Sequence, residues 1–148
     1  MQVKEIMTPN PAMCTPQTPL ETAAKLMVDY DCGEIPVIDD FGSCTPLGVI
    51  TDRDITCRTV AKGKNPLDLT VSECMSTPLV SVKPEDTLEN VYRIMEENQI
   101  RRIPVVDDGS KCIGIVSLAD IAQRVSKADS GEILQEVSAA SLAASNVG

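Results

Sequence analysis

Histidine and tryptophan are absent from this 148-residue chain, and its aromatic side chains are only Tyr30, Phe41 and Tyr92. Without histidine, no Ser/His/Asp or Cys/His nucleophile set can be assembled. So few aromatics do not furnish a base-stacking platform. Basic residues are scarce as well: 13 Lys and Arg stand against 22 Asp and Glu, a formal net charge of −9. A nucleic-acid binder needs a basic face to neutralise phosphates, so the charge argues against that class. No apolar run approaches the roughly 18 residues of a membrane span. The opening Met1-Gln2-Val3-Lys4-Glu5 lacks the apolar core of a signal peptide. Six cysteines, at 14, 32, 44, 57, 74 and 112, contain no C-x-x-C pair, so the usual zinc-ligand spacings are missing. The expectation is a cytoplasmic protein with reduced thiols, no metal and no catalytic residues.

What the chain does have is 43% hydrophobic residues, enough for a folded core, and an internal repeat. Shifted by 68 positions, Val3-Lys4-Glu5-Ile6-Met7-Thr8 falls on Val71-Ser72-Glu73-Cys74-Met75-Ser76. In the same register Pro16 meets Pro84, Leu20-Glu21 meets Leu88-Glu89, and Met27 meets Met95. Ile35-Pro36-Val37 meets Ile103-Pro104-Val105, and Asp39-Asp40 meets Asp107-Asp108. Copy one then carries two extra residues within 41–46, after which Gly48, Asp54, Ile55 and Arg58 match Gly114, Asp120, Ile121 and Arg124. The organisation read from this is repeat one over 1–60, a linker over 61–70, repeat two over 71–127, and a short helix (Glu132 to Val137) with an Ala/Ser-rich tail over 128–148. A single unit of this size buries a marginal core, so the two are expected to pack together as one module.

Each copy predicts the same elements. An extended piece, Ala12-Met13-Cys14 or Val80-Ser81-Val82, precedes a helix. Thr18-Pro19-Leu20-Glu21 predicts an N-cap at 18 with Pro at the first helical position, and Asp86-Thr87-Leu88-Glu89 predicts the same without Pro. Apolar residues at 20, 23, 24, 27 and at 88, 91, 92, 95 keep helical spacing and form one buried stripe per copy. Two short strands follow, Ile35 to Ile38 with Leu47 to Ile50, and Ile103 to Val106 with Ile113 to Val116, and then a second helix. The fold class is α+β, a tandem β-α-β-β-α repeat with pseudo-twofold symmetry. Cys14, Cys32 and Cys74 exchange with Val82, Ile100 and Ile6 across the repeat, which marks them as buried small hydrophobes. The Asp39-Asp40 and Asp107-Asp108 pairs precede turn residues and are explained by turn chemistry.

The stretch that carries chemistry is Gly48-Val49-Ile50-Thr51-Asp52-Arg53-Asp54, repeated as Gly114-Ile115-Val116-Ser117-Leu118-Ala119-Asp120. It places a hydroxyl residue at a helix N-cap and an Asp in the first turn. A plain capping box, worth ~1 kcal/mol, accounts for such a pattern without any ligand. A ligand site accounts for it too: a carboxylate accepts both hydrogen bonds of a vicinal diol, and a helix N-terminus favours an anion.

Together with the Met-Thr-Pro opening at 7–9, the helix box at 18–21 and the duplicated Ile-Pro-Val before Asp-Asp, the stretch resembles the cystathionine-β-synthase-type (CBS) domain pair, or Bateman module, over roughly residues 1–126. The resemblance implies a regulatory module that binds adenosyl ligands in clefts between its repeats. It implies that Asp54 and Asp120 take ribose hydroxyls, and that Thr51 and Ser117 bond ribose or phosphate. It implies that the purine lies against Thr8, Ala12 and Ile35 in copy one and against Ser76, Val80 and Ile103 in copy two.

The copies differ before the first strand, where Arg101-Arg102 stands opposite Gly33-Glu34. By the resemblance, Arg101 and Arg102 face the Asp54 pocket and reach a phosphate, while Glu34 faces the Asp120 pocket and repels one. Guanidinium is well shaped for phosphate, although a solvated pair at a helix end accounts for two arginines as well. The expectation is an adenine nucleotide (AMP, ADP or ATP) at Asp54. The Asp120 pocket is expected to be empty, weaker, or suited to an adenosyl group without phosphate, such as S-adenosylmethionine. No cofactor is required. The expected partners are the adenosyl effector, a second copy in a homodimer, and a downstream protein. The alternative is a structural dimerisation or regulatory subunit with ligand-free pockets.

Overall fold

The computed structural model describes residues 1–77 and 79–128; the helix and tail expected after 128 lie outside them. Among these residues four α-helices and five strands form: β1 (Thr8–Pro9), α1 (Leu20–Asp29), β2 (Glu34–Ile38), β3 (Pro46–Thr51), α2 (Asp52–Arg58), α3 (Leu88–Asn98), β4 (Arg102–Val106), β5 (Cys112–Ser117) and α4 (Leu118–Ala128). β2 and β3 form an antiparallel pair, while β1, β5 and β4 form an antiparallel sheet in that order. The β2–β3 and β4–β5 registers match, with Ile35 opposite Ile50 and Ile103 opposite Val116, and each shifts at its last pair. The extended pieces expected at 12–14 and 80–82 are reduced to single parallel bridges, Cys14 to Val37 and Val82 to Val105. Each bridge uses a proline carbonyl, since Cys14 N donates to Pro36 O and Val82 N to Pro104 O.

The helix stripes are buried as their spacing predicts. Leu20, Ala23 and Met27 of α1 are core, as are Leu88, Val91, Tyr92 and Met95 of α3. The caps differ from expectation. Thr87 caps α3, its hydroxyl accepting from Asn90 N. The α1 N-cap, however, is Pro19, without a side-chain bond. The Thr18 hydroxyl is taken by Thr15 N instead, and the helix's first N–H, that of Leu20, is satisfied by Leu69 O of the linker. A tertiary partner has replaced the local cap. The acidic pairs behave as turn residues: Asp40 accepts from Gly42 N and Ser43 N, and Asp107 accepts from Gly109 N and Lys111 N. Cys14, Cys44, Cys74 and Cys112 are buried, and burial pushes the Cys14 thiol up to about 12.

The opening segments do not stay with their own repeats. Val3 N and Lys4 N donate to Asp86 O and Pro84 O, and Val71 N and Ser72 N donate to Thr18 O and Pro16 O. Val3 is buried in one cluster with Leu88, Val91, Met95, Ile103 and Ile121, while Val71 and Cys74 are buried in another with Leu20, Ala23, Ile35 and Ile50. Each opening segment thus completes the core of the other copy, which is why a unit too small to stand alone is stable here. The exchange continues along the chain: β1 pairs with β5, and Ser76 bridges to Val49 of β3. A third small cluster, Ile38, Cys44 and Cys112, joins the far ends of the two hairpins.

Candidate functional site

Both hydroxyl–aspartate motifs fold as full capping boxes. Thr51 Oγ1 accepts from Asp54 N at 2.9 Å while Asp54 Oδ2 accepts from Thr51 N at 3.1 Å. Ser117 Oγ accepts from Asp120 N at 3.0 Å while Asp120 Oδ2 accepts from Ser117 N at 3.0 Å. The strand ends at the hydroxyl, the helix begins after it, and the carboxylate is held at the first turn. The capping role is therefore real, but it does not use up either carboxylate.

At Asp54 the remaining capacity meets the other copy's opening segment. Ser76 Oγ lies 3.0 and 3.1 Å from the two Asp54 oxygens and donates to them. Arg58, one turn along α2, brings Nε to 3.8 Å from Asp54 Oδ1 and donates to Met75 O at 2.9 Å. Among the described residues, no comparable hydroxyl is engaged at Asp120. Asp120 instead lines an open cleft of about 240 Å³ with Glu5, Ile6, Gln123 and Arg124. Both aspartates therefore sit where one repeat's helix meets the other's opening segment. The contacts from Ser76 and Arg58, and the lining by Glu5, Ile6, Gln123 and Arg124, were not read from the sequence. The repeated Arg four residues after each Asp was the available signal.

The other nominated residues fall into three groups. Thr8 is exposed on β1 beside Ile115, and Ser76 is beside Val49, so each lies against the opposite repeat from the one assigned by sequence. The exchange of opening segments is the reason. Ala12 and Ile35 share the first core, and Val80 packs against the second core with Ile103. Ile35 and Ile103 have 0% exposure, and their side chains are core. Arg101 and Arg102 are exposed at the entry to β4, where Arg102 is opposite Ser117 and Arg101 O accepts from Leu118 N at 2.7 Å.

Glu34 departs most from expectation. It is opposite Thr51 in the β2–β3 register, and the charges that act on it are Arg102 and Asp54. It belongs to the Asp54 end, not the Asp120 end, because the strand register carries it to the N-cap of α2. Burial pushes its carboxyl up to about 7, helped by Asp54 and opposed by Arg102. Its Oε2 is buried and has no hydrogen-bond partner among the described residues.

Comparison with known proteins identifies the family and the fold. The CBS domain family model matches residues 3–58 and 71–127. The chain is 39% identical over 137 residues to the CBS domain-containing protein YhcV of Bacillus subtilis, covering 92% of this chain and 94% of that one. The solved CBS domain pair of protein MJ0100, in complex with 5′-methylthioadenosine and S-adenosyl-L-methionine, aligns with a TM-score of 0.78 at 25% identity, over 87% of this chain and 98% of that one. The structure of CBSX2 in complex with AMP aligns with a TM-score of 0.70 at 29% identity, over 86% and 97%.

Proposed function

The chain belongs to the CBS domain family, and from that premise we propose that it is a regulatory module whose effector is an adenosyl ligand bound where the two repeats meet. The observation that carries this reading is the placement of Asp54 and Asp120: each is fixed by a capping box, Asp54 also accepts from Ser76 of the other repeat's opening segment, and Asp120 lines a cleft with Glu5 and Ile6 of the other repeat's opening segment. A diol supplies the two donors such a carboxylate accepts. At Asp54 a ribose would take over the hydrogen bonds that Ser76 now gives; at Asp120 the position is open. Thr51 and Ser117 stand at helix starts, where phosphate is favoured, and the exposed Arg101 and Arg102 supply guanidinium for it. The bound states of CBSX2 and MJ0100 support the ligand class. The protein acts without catalysis: binding shifts the relative pose of the repeats or of two protomers in a homodimer, and a partner protein reads the shift.

Thermal unfolding with AMP, ADP, ATP and S-adenosylmethionine tests the proposal, with Asp54→Asn and Asp120→Asn as controls. At least one ligand should raise Tm by the amount mass action requires, and one or both variants should lose that rise. If no ligand shifts Tm, the closed Ser76–Asp54 contact marks a structural dimerisation subunit instead.

A further inference from the structure

We infer that Cys44 and Cys112 form a reversible thiol–disulfide site that ties the two repeats together at the far ends of their hairpins. The inference is independent of the adenosyl-ligand reading, since it uses no residue of the Asp54 or Asp120 ends.

Cys44 stands in the connection between β2 and β3, and Cys112 opens β5. Cys112 N donates to Cys44 O at 2.9 Å. Backbone neighbours joined in this way hold their Cα atoms about 5.5 Å apart, inside the roughly 4.4–6.8 Å that a disulfide spans. Both residues are buried, in one cluster with Ile38. Both are free thiols. Each sulfur makes only a weak bond to a carbonyl, Cys44 Sγ to Phe41 O at 3.3 Å and Cys112 Sγ to Gly114 O at 3.7 Å. Packing does not call for cysteine at either position. Cys14, Cys32 and Cys74 stand where the other copy has an aliphatic residue, but Cys44 and Cys112 do not. Cys44 corresponds to Ser110, and both hold a left-handed backbone, with φ of 52° and 63°. That conformation favours Gly, Asn or Asp over cysteine. Cys112 corresponds to Pro46, since Pro46 is opposite Ile38 as Cys112 is opposite Val106. Two unrelated positions thus each carry a cysteine, and those two meet.

The pair is within reach of a small reagent. An open cleft of about 490 Å³ is lined by both cysteines together with Met13, Phe41 and Lys111. Cys44 is the more exposed, 6% against 3%, and burial pushes the Cys112 thiol up to about 11. Cys44 is therefore the first to react. Its thiolate attacks one sulfur of a low-molecular-weight disulfide such as oxidised glutathione, and one small thiol leaves. Cys112 then gives up its proton and attacks the Cys44 sulfur of the mixed disulfide, and the second small thiol leaves. The two cysteine sulfurs lose two electrons, and the reagent gains them as two thiols that carry away the two protons. A reducing thiol reverses both steps. The bridge closes a loop of about seventy residues, long enough to stabilise the fold by constraining the unfolded chain. It also joins the β2–β3 hairpin covalently to the β4–β5 hairpin, so the far ends of the two repeats move apart only when the thiols are reduced.

The test takes the full chain, fully reduced, and equilibrates it at pH 8 with mixtures of reduced and oxidised glutathione. The intact mass of the wild type should fall by two hydrogens, and peptide mapping without reductant should recover Cys44 joined to Cys112. The oxidised protein should unfold at a Tm higher by roughly 10 °C, and dithiothreitol should abolish the rise. Cys44→Ser, which copies the serine of the equivalent turn, and Cys112→Ala should each lose the oxidant-dependent rise. Cys57→Ala, which removes an exposed thiol, should keep it. Wild-type protein that retains both thiols, that keeps glutathione on either cysteine without closing the bridge, or that pairs either with a different cysteine would overturn the inference. A mapped bridge that leaves Tm unchanged would overturn the claim that it ties the repeats together.

Discussion

A glutamate with no partner for one buried oxygen is the least comfortable residue in this fold. Its discomfort has a measurable direction. The folded-state value, about 7, lies above the ordinary 4.5. The folded protein therefore holds a proton that the unfolded chain has already released. Stability from this group is fully present below about 4.5 and is lost as pH rises through about 7. Glu34→Gln should match the wild type in urea unfolding near pH 4. It should exceed it near pH 8 by on the order of 1 kcal/mol, less than full linkage would give because Glu34 is only partly shielded from solvent. A difference between the two proteins that is the same at both pH values would show that Glu34 does not titrate in this window. The identity of residue 34 was readable in the sequence as the odd partner of Arg102, but its neighbours were not. Strand register carried it to Asp54, and no local rule relates Glu34 to a residue twenty positions on.

Elements in this protein are held by crossings at the two repeated glycines. A Cβ at Gly48 would lie 2.4 Å from Ser76 O, and one at Gly114 would lie 2.7 Å from Met7 Sδ and 3.0 Å from Thr8 O. Each glycine lets an opening segment pass against a strand of the other copy, a use of glycine that needs close backbone approach. Gly48→Ala should cost about 3 kcal/mol, because a backbone carbonyl must move. Gly114→Ala should cost less, about 1–2 kcal/mol, since a flexible thioether can turn aside more easily. Gly63 is a different case: its φ is +71° and nothing lies within 4 Å. Alanine there meets only left-handed backbone strain, about 1 kcal/mol. Denaturation midpoints for the three variants should follow that order. Gly48→Ala as mild as Gly63→Ala would show that the crossing is loose. The helices and paired strands at this scale were legible from periodicity, with ends displaced by one or two positions. The α1 cap was not, because Leu69 of the linker supplies the bond that Thr18 was expected to make.

The described residues form two main cores, each closed by a valine from the other repeat's opening. Val3 is 0% exposed among α3 and β4 residues, and Val71 is 0% exposed among α1 and β2 residues. Val3→Ala should cost about 2 kcal/mol as a buried truncation. It should also raise amide exchange in α3 and β4, far along the sequence, before it does so in α1. Val71→Ala should do the reverse. Loosening that stays within the mutated repeat would contradict the exchange of segments. On the proposed reading, a ligand would have consequences for both halves, because Asp54 and Asp120 lie on the seam where one repeat's helix meets the other repeat's chain.

The sequence by itself determined the repeat, the α+β class, the buried stripes and the two capping aspartates, since each of these follows from local spacing and residue chemistry. It also placed the repeated aspartates in a family to which the solved MJ0100 pair and CBSX2, both in complex with adenosyl compounds, are structurally similar. Only the tertiary structure decided which repeat each opening segment completes, which aspartate already has a hydroxyl partner, and which charges surround Glu34. Those outcomes depend on contacts between residues far apart in the chain, where many pairings satisfy the same pattern and packing selects one.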